Sequence, residues 1–305
     1  MRAYREVVAT VILAKGLSKR FGSSVALDGL DLEVHEGEVF GFVGPNGAGK
    51  TTTIRLLLDL LRPTSGSVTV FGADPRADGM HVRSRIGYLP GDLSLPPKVT
   101  GRAFLSDQAA LRGLDLASRH GELAERLVAD LDRPMGELSL GNRRKIGVIA
   151  AFAHRPELLV LDEPTGGLDP LVQQTFRAMA QEAAAEGRTV FLSSHVLDEV
   201  QHLADRVAVL RNGRVVAHDR VDALIARLVR VVTVRFATAP SPTTFASVAG
   251  VVDVASTRAG ELQFTVAGPA GPLLEALAPH RPLDLHAPEP DLEDVFLHLY
   301  GEEAP

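Results

Sequence analysis

The sequence has no cysteine. Disulfides, thiolate zinc sites, iron–sulfur clusters and thiol catalysis are excluded together, and with them a secreted fold that depends on disulfides. An apolar run of membrane-spanning length is also missing. The longest, Val7–Ala14 and Ile146–Ala153, are interrupted by Thr10 and Gly147 and fall far short of the roughly 20 residues a spanning helix needs. Nor is there an excess of basic charge. Lys and Arg number 32 against 38 Asp and Glu, a net charge of −6, which argues against nucleic acid as the main partner unless charge is segregated on one face. No internal repeat or low-complexity tract is evident. Arg2 and Arg5 ahead of Val7–Ala14 imitate the basic and apolar parts of a signal peptide, but Lys15 follows at once and no small-x-small cleavage site precedes Gly16. A strand is the better expectation there, and the cytoplasm for the protein.

What is present is an ordinary globular composition over 305 residues, enough for two domains at about 150 residues each. Val11–Ala14, Leu30–Val34, Glu38–Val43, Val68–Phe71, Leu158–Leu161, Thr189–Ser193 and Arg206–Leu210 read as strands. Thr51–Leu61, most of Gly101–Leu131 and Leu171–Ala185 read as helices. Strands alternating with helices predict an α/β core with a largely parallel sheet. The composition shifts after Ala226. Val231–Phe236, Val251–Ala255 and Leu262–Val266 then read as strands, and Leu273–Leu277 and Leu292–Leu299 as helices. The expected organisation is a first domain over 11–226 and a small α+β domain over 227–305.

Gly44-Pro45-Asn46-Gly47-Ala48-Gly49-Lys50-Thr51, followed by Thr52, fits G-x-x-x-x-G-K-[ST] between a strand and a helix, the context this motif requires. Its glycines let successive backbone N–H groups face phosphate oxygens, and the helix N-terminus adds its positive end. Lys50 is placed for the β- and γ-phosphates of a nucleoside triphosphate and Thr51 for Mg²⁺. Leu158-Leu159-Val160-Leu161-Asp162-Glu163 then puts two carboxylates at the end of an apolar strand. Adjacent acids leaving a strand are often a solvated turn. With a phosphate loop in the same chain, Asp162 reads as a metal-shell residue and Glu163 as the group that orients or deprotonates water.

Leu138-Ser139-Leu140-Gly141-Asn142 resembles the LSGGQ signature of ATP-binding cassette (ABC) ATPases, and it precedes the acidic strand as in that family. Gly166-Gly167-Leu168-Asp169 resembles the D-loop, Ser194-His195 the H-loop, and Phe21 stands where the family stacks an aromatic on adenine. The resemblance covers residues 11–225. It implies a phosphate-loop NTPase fold with an antiparallel β subdomain and a helical subdomain, and an ATPase using ATP and Mg²⁺. Lys50, Asp162, Glu163 and His195 would form one face of the site. Ser139 and the Gly141 backbone of a second copy would contact the γ-phosphate, with Asn142 beside them on the partner's side of the ATP site and Asp169 bridging the two sites. A homodimer, or a pair with a related ATPase chain, is therefore implied, together with a separate multi-spanning permease that inserts a short helix beside Gly101–Leu131. The chain itself would sit peripherally on the cytoplasmic side of the membrane.

Two departures stand out. The family usually places Gln, sometimes Glu, after its Tyr-x-Pro stretch, whereas Tyr88-Leu89-Pro90 is followed here by Gly91 and Asp92. Asp92 is the residue available for that polar role toward the metal. The signature also carries Leu140 for a glycine and Asn142 for glutamine. Asp291-Leu292-Glu293-Asp294-Val295-Phe296-Leu297 resembles the ending of exporter ATPases of the daunorubicin-resistance type; it also reads as an amphipathic helix packing Leu292, Val295, Phe296 and Leu299. An importer ATPase is the alternative, as is a soluble ABC ATPase acting on ribosomes or DNA. The single phosphate loop, the absence of cysteine and the lack of long coiled coils argue against the soluble reading.

Overall fold

The computed structural model describes residues 9–301, with side chains through Leu297; Arg2, Arg5, the first residues of the Val7–Ala14 run and the Leu299 side chain lie outside the described residues. The chain divides into two units, one ending at His218 and the other beginning at Asp219.

In the first unit, β1 (Thr10–Phe21) turns at Gly22-Ser23 into β2 (Ser24–His35); β3 (Val39–Val43), α1 (Lys50–Leu57) and β4 (Ser65–Val70) follow. β2, β1 and β4 form an antiparallel three-stranded sheet in that order. β1 runs well past Ala14 because register shifts between Ala14 and Leu17, and again to Lys19, absorb its broken alternation. α1 stops at Leu57 instead of continuing to Leu61. Asp59 turns left-handed at φ 54°, and the Leu60 N–H closes on the Arg55 carbonyl at 2.8 Å.

The remaining elements of this unit are α2 (Gly79–Ser84), β5 (Ile86–Leu89), α3 (Gly101–Leu111), α4 (Ala117–Leu127), α5 (Leu140–Phe152), β6 (Leu158–Asp162), α6 (Pro170–Ala185), β7 (Thr189–Ser194), α7 (Leu197–Gln201), β8 (Arg206–Arg211) and β9 (Arg214–Arg220). Six strands order as β5-β6-β7-β3-β8-β9, and β5, β6, β7, β3 and β8 run parallel. β3, β6 and β7 are buried at every position, which is why their middles read as apolar runs, with polar Asp162, Ser193 and Ser194 only at the carboxyl ends and Thr189 at the start of β7. Phe191 stacks on Phe40 at 5.9 Å and lies against Phe42 at 5.5 Å.

The helical stretch expected over Gly101–Leu131 is two helices, interrupted where Gly113 adopts φ 68°. Thr100, Ser139 and Asp169 each cap a following helix with a side-chain oxygen. α5 therefore begins at Leu140, directly after its Ser139 cap.

The second unit holds α8 (Val221–Ala226), β10 (Arg230–Arg235), β11 (Val251–Arg258), β12 (Glu261–Val266), α9 (Gly271–Leu277), β13 (Asp284–His286) and α10 (Leu292–Gly301). Its antiparallel sheet has the order β11-β12-β10-β13, and Phe245 packs edge-on against Phe264 at 5.1 Å in its core. α8 packs on α10, so it groups with this unit although the composition change comes after it. Among the described residues no helix is long and apolar enough to cross a membrane.

α6 is fixed to α5 through Phe176, fully buried and edge-on to Phe152 at 6.1 Å. Phe176→Ala is expected to cost the first unit about 3–5 kcal/mol, read from its urea-unfolding transition; a loss below about 1 kcal/mol would show that the α5–α6 contact relaxes around the missing ring.

Candidate functional site

β7 lies between β3 and β6, so three loops leave one edge of the sheet side by side. Val43 is level with Ser194, and Asp162 with Ser193. Parallel sheets bind ligands at this carboxyl edge, because the loops and helix N-termini converge there.

The loop after β3 wraps a cavity of about 200 Å³ lined by Pro45, Asn46, Gly47, Gly49, Lys50, Thr51 and Thr52, with Ala26 and Glu163 opposite. α1 begins at Lys50 with no acidic residue in its first turn, which leaves its N–H groups and positive dipole end to an anion. Lys50 is only 6% exposed. Its ammonium donates to the Gly44 carbonyl at 2.6 Å and stands 3.4 Å from Glu163 Oε1.

Asp162 is 1% exposed, and hydroxyls satisfy both of its oxygens. Thr51 Oγ1 donates to Oδ2 at 2.9 Å, and Ser193 Oγ donates to Oδ1 at 2.5 Å. Glu163 has a left-handed backbone, φ 50°, a conformation that costs a non-glycine residue about 1 kcal/mol. Its N–H donates to the Ser193 carbonyl at 3.1 Å. Its carboxylate meets His195 Nδ1 at 2.7 Å. The fold thus gathers Lys50, Thr51, Asp162, Glu163 and His195 into one cluster: an ammonium beside a loop that could cradle a polyphosphate, two hard oxygen donors of the kind a divalent cation takes, and a carboxylate–imidazole pair able to hold water.

The signature residues do not line this cavity. Ser139 is exposed and caps α5, accepting from the Asn142 N–H at 3.2 Å. Gly141 approaches the D-loop so closely that a Cβ there would lie 2.5 Å from the Gly167 carbonyl oxygen. The Asn142 amide is engaged within the chain, accepting from the Asp130 N–H at 3.0 Å and donating to its carbonyl at 2.9 Å. Asp169 caps α6 and lies 3.9 Å from Lys145. Phe21 is 48% exposed, carries the Lys19 ammonium over its ring at 5.0 Å, and is also outside the cavity lining.

A sequence profile of the ABC transporter family matches residues 27–166. A Nod factor export ATP-binding protein I of Burkholderia lata is 33% identical over 296 residues, spanning 95% of this chain and 96% of that protein. The chain belongs to the ABC transporter ATP-binding family. A daunorubicin resistance ATP-binding protein of Streptomyces coeruleorubidus is 36% identical over 96% of this chain and 97% of its own length. A solved ATP-binding subunit of an ABC transporter superposes with a TM-score of 0.65 at 29% identity, covering 70% of this chain and 92% of that one. As an ABC ATPase, the chain couples ATP hydrolysis to transport.

Within that family, the loop after β5 is where the site differs. A Cβ at position 91 would come within 2.9 Å of Asp162 Oδ2 and 3.1 Å of its Cγ. A side chain at position 91 would therefore require the Asp162 carboxylate or the loop to shift. Asp92 is exposed, and among the described residues no hydrogen bond or ion pair links it to Thr51 or Asp162. Two residues that the motifs do not single out also belong to the site. Ser193 reaches Asp162 through the pairing of β6 and β7, which only sheet register reveals. Arg144 donates to the main chain of Pro90, Gly91 and Glu163; its spacing from Val148 and Ala151 along α5, which puts it on the buried face, is the signal that could have found it.

Gly91→Ala is expected to displace Asp162 and lower ATP turnover about tenfold, while the melting temperature stays within about 2 °C, a shift worth under 1 kcal/mol. Turnover at the wild-type rate would show that the loop yields without disturbing the carboxylate.

Proposed function

We propose that this chain is the ATP-hydrolysing subunit of a membrane exporter, working on the cytoplasmic side of the membrane with a separate multi-spanning permease. The observation that carries this reading is the near end-to-end match to proteins named for Nod factor export and daunorubicin resistance, which takes in both units. A groove in the first unit supports the permease. About 390 Å³ of space opens among β5, α3 and α5, lined by Leu89, Pro90, Leu93, Phe104 and Leu105 among others, and it suits a short inserted helix.

In the proposed cycle the triphosphate lies on the Gly44–Thr52 loop, Lys50 turns from the Gly44 carbonyl to the β- and γ-phosphates, and Phe21 stacks on the adenine. Thr51 and Asp162 would hold Mg²⁺. Both offer hard oxygens, and no group of three or more His, Cys, Asp or Glu side chains forms a cage among the described residues; magnesium keeps waters and phosphate oxygens for its other positions. When bound, the ion neutralises charge on the phosphates. Glu163 accepts the proton of the attacking water, and His195, hydrogen-bonded to Glu163, orients that water against the γ-phosphate. Ser139 and Gly141 of a second copy complete the site as two chains close head to tail, with Asp169 at the seam. Asn142, which follows them on α5, holds the loop before that helix through the Asp130 main chain. The exposed position of Ser139, away from the phosphate cavity of its own chain, supports this two-chain arrangement.

The test is recovery of the Glu163→Gln chain, tagged, from membranes solubilised gently with ATP present. A stoichiometric partner with several hydrophobic spans is expected, together with turnover reduced at least about a hundredfold and ATP affinity retained. Recovery only as a soluble dimer or with ribosomal proteins would contradict the exporter reading. Unchanged turnover would remove Glu163 from the chemistry.

A further inference from the structure

Arg144 lies in the second turn of α5 and is 6% exposed. Its Nη1 donates to the Pro90 carbonyl at 2.9 Å and the Gly91 carbonyl at 3.1 Å, and its Nη2 donates to the Glu163 carbonyl. All three acceptors are main-chain oxygens. Among the described residues no carboxylate is in direct ion-pair contact with the guanidinium, and its Nε is buried without a hydrogen-bond partner. Burial pulls its pKa down, and the Asp162 and Glu163 charges push back up. A buried cation without a direct counter-charge is a poor way to gain stability, so its place here calls for another explanation.

The three carbonyls supply one. Pro90 lines the groove, and Gly91 stands so close to Asp162 that a Cβ there would lie 2.9 Å from the carboxylate Oδ2. Glu163 is the residue held left-handed, with its side chain between Lys50 and His195. One guanidinium therefore bonds the groove loop and the strained residue at the same time, from a helix capped by the signature serine.

We infer that Arg144 is a positioning residue, a clamp that fixes the Glu163 backbone so that its carboxylate faces the reacting water, and that transmits movement of the Pro90-Gly91 loop to Glu163. This rests on the reading of Glu163 as the general base. A fixed tie between the two segments makes loop displacement and carboxylate aim interdependent.

Single-turnover ATP hydrolysis and equilibrium ATP binding would be measured for Arg144→Gln, Arg144→Lys, Glu163→Gln and the Arg144→Gln/Glu163→Gln double variant. Arg144→Gln is expected to slow hydrolysis about tenfold to a hundredfold, as misplacement of a reacting group does, with ATP affinity changed less than about threefold. Arg144→Lys, which keeps the charge and some of the donors, should recover part of the rate. The double variant should be no slower than Glu163→Gln alone, because the clamp acts through that carboxylate. Additive losses, an affinity that falls in step with the rate, or wild-type hydrolysis in Arg144→Gln would each overturn the clamp. If Arg144→Gln does not fold, Arg144→Lys carries the same comparison. Full-rate hydrolysis in Glu163→Gln is a different result: it overturns the general-base reading directly, whatever the Arg144 variants do.

Discussion

A carboxylate buried as deeply as Asp162 has to be satisfied on both oxygens, since an ionised group in a protein interior is costly unless it is hydrogen-bonded. Thr51 and Ser193 meet that requirement from two different elements. Thr51 belongs to the helix that carries the phosphate loop, and Ser193 to the strand paired with that of Asp162. One side chain thereby ties the loop, the acidic strand and the strand leading to His195. Removing either hydroxyl would leave an unsatisfied buried charge, and the relative positions of Lys50 and Glu163 would lose their common reference. The remaining site geometry follows from this triangle.

Crowding around Asp162 sets the character of the neighbouring loop. The family places a polar side chain where this chain has Gly91. Seen in sequence that is a deficit, with Asp92 as the substitute. In the fold a Cβ at that position would crowd the Asp162 carboxylate, and among the described residues no hydrogen bond or ion pair ties Asp92 to Thr51 or Asp162. The loop is instead held through its carbonyls by Arg144, a contact made by the main chain and therefore silent in a motif.

What was legible in the sequence was local. The buried strands β3, β6 and β7 each contain a short apolar run, Val39–Val43, Leu158–Leu161 and Val190–Leu192, and the phosphate loop is a stretch of backbone whose glycines and lysine announce its shape. What was not legible depends on register or on very short elements. Ser193 meets Asp162 across 31 residues, a pairing that neither segment displays alone. β5 has four residues and includes Gly87, α7 has five, and β13 is three exposed residues; none is long enough to show a period. α1 was read too long because Leu58 and Leu61 keep helical spacing while the chain has already turned at Asp59. The left-handed backbone of Glu163 has no signal in its residue type at all.

In the proposed two-chain arrangement, Ser139 and Gly141, which stand apart from the phosphate cavity of their own chain, serve the site of a second copy. The most direct measurement is ATP hydrolysis by a mixture of Lys50→Ala and Ser139→Arg chains, each inactive alone. The mixture is expected to show activity that neither variant shows separately, because the mixed dimer keeps one site with an intact Lys50 facing an intact Ser139. A mixture as inactive as its components, or a Ser139→Arg chain that hydrolyses ATP at the wild-type rate, would contradict it.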